Sequence, residues 1–176
     1  MMTSEGKTEA AARRRLWYGR FRTAAFLSTI AALIWTLIIV LPFEPFSYLP
    51  PIIVGGGPGI WFVLAYVLFV VTGIGGFGAI SGILTTVELH EGRTVDGRLM
   101  WPALVLMCVG TAGSCILLGV AGAVGGYAST FQGSSTGAIH DLLAPYVNPI
   151  TTLVIIAVIG AALAVLSMVR ARWPGP

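Results

Sequence analysis

Residues 60–84 read IWFVLAYVLFVVTGIGGFGAISGIL. The stretch carries no charge, yet five of the ten residues from Gly73 to Gly82 are glycine. In water such a run suggests a loop, because glycine in a helix interior costs about 1 kcal/mol relative to alanine. In a bilayer a lipid-exposed break would leave backbone amides and carbonyls without partners, so the run has to stay helical. The glycines then form a surface rather than an interruption. At about 100° per residue, Gly75, Gly78, Ala79 and Gly82 fall on one strip of that helix, which Thr72 and Thr86 extend, while Gly73 and Gly76 lie off it. Small residues at this spacing let two membrane helices approach closely.

The rest of the 176-residue chain agrees with a membrane setting. It is 56% hydrophobic and only 10% charged, with a mean hydropathy of +0.90, whereas soluble domains carry about 25% charged residues. A spanning helix needs roughly 20 apolar residues. Four segments qualify, at about 21–42, 60–87, 99–127 and 147–169. The expected fold is therefore all-α, an integral membrane four-helix bundle. Residues 1–20 form a basic N-terminal arm, 21–170 the four-helix domain and 171–176 a short tail.

All ten basic residues fall before the first span, between the second and third, or after the fourth. Segments 44–59 and 128–146 have none. The excess of Lys and Arg places both termini and the middle loop in the cytoplasm of a multi-pass protein of the cell membrane. Arg13, Arg14, Arg15, Arg20 and Arg22 are expected to meet lipid headgroups. The net charge of +3 is thus an orientation signal and not a nucleic-acid footprint. The polar arm at the start does not have the usual form of a secretory signal.

Matching small faces occur on the other spans. The third carries Cys108, Thr111, Ala112, Cys115, Gly119, Gly122, Ala123 and Gly126, and the fourth Ala157, Gly160, Ala161 and Ala164. Spans two and three are expected to form an antiparallel hairpin with these faces turned towards each other or towards span four. Gly75, Gly78, Ala79, Gly82, Thr111, Cys115, Gly119, Gly122 and Gly126 are the packing candidates. Cys108 and Cys115 lie in series along one helix and read as small packing residues, not as a disulfide or metal pair.

Asp, Glu, Lys, Arg and His are absent from the central half of every span, which argues against proton pumps, ion-coupled transporters and voltage sensors. His90 and His140 fall at opposite membrane faces, too far apart to hold one haem. His90 is expected to cap span two or pair with Glu91. His140, next to Asp141, is the better ligand candidate, since a carboxylate can fix a histidine tautomer. Ser134 and Ser135 lack the strand-turn-helix setting of a nucleophile, so no catalytic residue and no metal site is assigned.

Residues Ile60 to Gly122 resemble part of subunit I of the heme-copper oxidases. In that family a glycine-rich helix leads to a loop with Leu-His-acid, and the next helix opens with haem-binding histidines. Here the series is GGFGAISG, then Leu89-His90-Glu91, then RLMWPALVLMCVGTAG. Where the family places its histidines this chain has Leu99, Met100, Trp101 and Pro102, so the resemblance implies inherited helix packing without the redox site. Short four-span proteins of this type are associated with archaea that carry terminal oxidases.

The expected function is a non-catalytic accessory or assembly subunit of a terminal oxidase-type respiratory complex. Its partners would be membrane lipids and other membrane subunits or a second copy, and no cofactor is assigned. One alternative is a haem-binding electron-transfer protein using His140. The other is a channel or carrier for a neutral solute, lined by Thr72, Ser81, Thr85, Thr111 and Ser114.

Overall fold

Four helices are long and apolar enough to cross a membrane, and the chain is a multi-pass integral membrane protein. The computed structural model describes residues 16–173. Helix α1 spans Trp17–Val40. A short helix α2, Leu49–Val54, precedes α3 at Gly57–His90. Helices α4, Gly97–Thr130, and α5, Thr136–Val169, complete the chain. Helices α3, α4 and α5 have 34 residues each. At 1.5 Å per residue that is about 51 Å, well beyond a hydrocarbon core of about 30 Å, so they tilt or protrude.

Helix α5 starts eleven residues before the expected position 147. Ser135 is the reason: its hydroxyl accepts from Ala138 N at 3.3 Å and caps the helix. Pro145 and Pro149 are then carried inside α5. The PPIIV segment folds as α2, with Leu49 and Ile52 buried, against the end of α4, where a methyl on Gly126 would overlap Ile52.

Helix α4 is the centre of the bundle, because its glycines admit a different neighbour at each level. A β-carbon on Gly110 would lie 2.5 Å from Ala157 N and 2.6 Å from Leu153 O of α5. In return, one on Gly160 of α5 would lie 2.7 Å from Met107 N. On Gly122 it would overlap the Phe62 backbone of α3, and on Gly119 it would press on the Trp35 ring of α1 at 3.0 Å. The approaches at Gly110, Gly122 and Gly160 are backbone-to-backbone, of the kind small residues allow between membrane helices. Thr111 and Cys115 are buried in the same helix.

Helix α3 changes partner halfway. Its first half packs on α4 through Phe62 and Ala65, and its second half packs on α1. The change falls at a π-helical stretch, Val70–Gly76. Wide turns of this kind displace the following residues around the axis. After it, Phe77, Ser81 and Leu84 turn inward. Phe77 and Leu84 join Phe21 of α1, Met100 and Met107 of α4, and Met168 of α5 in the main core. Gly73 seats Ser28 of α1.

The α3 strip consequently does not face α4 or α5. Gly75, Gly78, Ala79 and Gly82 are exposed, and a β-carbon on Gly75, Gly78 or Gly82 would meet nothing within 4 Å. The expected mutual packing of small faces holds between α4 and α5 but not for this strip. The bulky residues on the other side of α3 decide the matter. Burying Phe69, Phe77 and Leu84 removes far more apolar area than burying glycine, and these side chains also fill the space beside α1.

Candidate functional site

The loop after α3, in VELHEGRTVDGR, holds most of the charge that the described residues place between two helices. Glu88 lies in a second π-helical turn, Thr86–His90, at the end of α3. Its carboxylate accepts from Trp17 N at 2.8 and 3.1 Å and from Tyr18 N at 3.0 Å. Those amides belong to the first turn of α1, whose N-terminal cap residue, Leu16, has no side-chain acceptor to offer. An anion at the positive end of the helix dipole satisfies groups that would otherwise lack partners.

Arg93 does the converse job. Its guanidinium donates to Ala171 O from Nε at 3.2 Å and Nη2 at 2.6 Å, just beyond the C-terminus of α5. Nη1 bonds Glu91 Oε2 at 3.1 Å. Thr94 and Arg172 exchange two backbone bonds, at 2.9 and 3.1 Å. Asp96 caps α4 by accepting from Arg98 N at 2.9 Å, and its carbonyl takes the Ser167 hydroxyl at 3.3 Å. The loop thus ties the ends of α1, α4 and α5 together, and both ends of the described chain lie at this basic end of the bundle. Glu91 pairs with Arg93 and not with the expected His90, which is exposed.

Beside this knot, Arg20 sits in a corner formed by two indoles. Its guanidinium carbon is 4.2 Å from the Trp17 ring centroid and 4.6 Å from that of Trp101. The two rings meet edge to face at 5.4 Å and 89°. Arg22 lies over Tyr18 at 5.7 Å. Arg13, Arg14 and Arg15 lie outside the described residues.

At the opposite end, the Tyr48 hydroxyl donates to Glu44 Oε1 at 2.7 Å. That bond and the carboxylate charge hold the phenol above its ordinary pKa of 10.0. Tyr48 also packs on Tyr127 and Phe131 at 5.7 and 5.4 Å. His140 and Asp141 are both exposed near the start of α5. The two histidines therefore stand at opposite ends of the bundle. Among the described residues there is no group of three or more His, Cys, Asp or Glu side chains arranged to hold a metal.

The hydroxyls proposed for a solute path are not brought into one lining. Ser81 donates to Tyr18 O at 2.9 Å towards α1, and Thr72 is exposed and bonds Leu68 O in its own helix. Thr85 bonds Ser81 O, and Ser114 bonds Thr111 O. Threonine and serine in membrane helices commonly satisfy themselves in this way.

Sequence reasoning missed the Glu88 cap, the Arg93 cap and the Arg20 corner. Trp17 and Arg20 at i, i+3 are a visible signal for half of that corner. Trp101 is supplied by the tertiary fold. No protein-family model matches the chain, and no curated protein and no solved structure is significantly similar to it.

Proposed function

We propose that this chain is a non-catalytic membrane subunit that works by associating with other membrane helices, with both termini in the cytoplasm of the cell membrane. The observation that supports it best is the outward strip of α3. Gly75, Gly78 and Gly82 offer a smooth surface, and beyond the helix's own nearby backbone nothing among the described residues lies within 4 Å of their β-positions. On α4, by contrast, Gly110, Gly119, Gly122 and Gly126 are each met by another helix. A bare glycine face in lipid is suited to close approach by a helix of another subunit or of a second copy.

The finer reading is an accessory or assembly subunit of a terminal oxidase-type respiratory complex. It rests on the resemblance of GGFGAISG and Leu89-His90-Glu91 to oxidase subunit I. Because no neighbouring element among the described residues comes within 4 Å of a β-carbon at Gly78, Gly78→Leu should leave the fold intact and block the approach of a partner. The test is purification of wild type and Gly78→Leu from native membranes in mild detergent. Wild type is expected to carry a partner that the variant loses, with haem absorbance in the partner fraction for the oxidase reading. An unchanged partner set in Gly78→Leu would sink the association, and a partner without haem would remove the respiratory assignment.

A further inference from the structure

We infer that the corner formed by Trp17, Arg20 and Trp101 is a seat for the phosphate of an anionic phospholipid. The guanidinium carbon lies 4.2 and 4.6 Å from the two ring centroids, and a phosphodiester fits the fork of N–H groups that such a guanidinium carries. Among the described residues the sole ion pair is Arg93–Glu91, so no carboxylate there occupies Arg20. Glu88 is near enough to feel the charge of Arg20, but its oxygens are engaged by the amides of Trp17 and Tyr18. Asp96, at the start of α4, is taken up in capping that helix. A β-carbon on Gly97 of α4 would lie 3.5 Å from the Trp17 indole, so the first turns of α1 and α4 stand side by side here.

The surroundings favour a lipid over a free anion. Trp17 and Arg20 stand in the first turn of a helix that crosses the membrane, the level at which tryptophan and arginine meet headgroups. From Trp101, which is 53% exposed, an apolar stripe continues along α4 through Val105 and Val109, 50% and 53% exposed, to Ile116 at 57%. Their spacing of four, four and seven residues keeps them on one face. A phosphate at Arg20 therefore has a continuous apolar track beside it for an acyl chain.

The test is native mass spectrometry of the full chain in detergent with equimolar phosphatidylglycerol and phosphatidylcholine. Wild type is expected to retain phosphatidylglycerol preferentially. Arg20→Gln should lower that preference roughly fivefold, in keeping with one basic side chain at a membrane surface. Arg20→Lys should fall towards it, because the ammonium lacks the fork. Trp101→Leu, at an exposed position, gives the same direction of change should Arg20→Gln not fold. Arg172→Gln, an exposed cation at the same end, should leave the preference unchanged. Equal retention of both lipids by wild type would overturn the inference, as would an equal loss in Arg172→Gln. Displacement of the lipid by millimolar inorganic phosphate would do the same, since the ligand would then be the free anion.

Discussion

Two glycine-to-alanine substitutions, one on each side of the bundle, should have opposite effects. At Gly110 the new methyl would sit 2.5 Å from Ala157 N, 2.6 Å from Leu153 O and 2.7 Å from Ala157 Cβ. Two of those three atoms are backbone, so no rotamer change relieves the overlap, and α4 and α5 must separate by about 1 Å to restore contact near 3.5 Å. That separation also loosens the reciprocal contact of Gly160 with Met107 and Ala103. Overpacking of this kind costs about 1–3 kcal/mol. At Gly78 a methyl meets nothing within 4 Å, and the change from glycine to alanine favours the helix by up to about 1 kcal/mol. Both variants are to be compared with wild type as monomers in micelles, by unfolding in increasing denaturing detergent followed by circular dichroism. Gly110→Ala should unfold earlier, and Gly78→Ala at the same point as wild type or later. A Gly78→Ala variant destabilised as much as Gly110→Ala would refute the placement of the strip on the outside of α3.

Glu88→Gln removes the charge that faces the first turn of α1 while keeping one acceptor for Trp17 N and Tyr18 N. It should cost about 1 kcal/mol, and hydrogen exchange at residues 17 and 18 should speed up selectively; unchanged protection there would exclude the cap. Glu44→Gln should lower the titration midpoint of Tyr48, seen as tyrosinate absorbance near 295 nm, towards the ordinary value of 10.0. The sign follows from the raised phenol: its bond to Glu44 stabilises the folded chain below that ordinary value and is lost as pH rises through the higher folded value. A midpoint unmoved by Glu44→Gln would show that the 2.7 Å bond is not what holds the phenol neutral.

The spans were legible because lipid leaves the backbone only helices or closed barrels, and an apolar stretch such as IWFVLAYVLF, without the alternation of a barrel strand, reads as a helix. Which side of each helix faces inward was less legible. A wheel groups the α3 strip correctly, since Thr72, Gly75, Gly78, Ala79, Gly82 and Thr86 are all exposed, but it does not say that Phe77 and Leu84 on the other side win the inward position. The start of α5 was obscured by Pro145 and Pro149. Each removes one backbone bond, but in a 34-residue helix the remaining turns and the Ser135 cap outweigh that loss.

The charged residues show the same limit from the other direction. Counting them predicted which ends of the helices lie together, because orientation depends on number and sign. It did not predict what each one does, because that depends on which helix end arrives beside it. Glu88 caps α1 across a sequence separation of 71 residues, and Arg93 closes α5 across 78. Both are drawn to the helix end of opposite partial charge, so the dipoles of α1 and α5 select their partners once the apolar faces have brought the ends together. Arg20 is the exception: among the described residues it has no such partner, only two indoles, and the charge it keeps at the surface makes that corner the place to look for a bound anion.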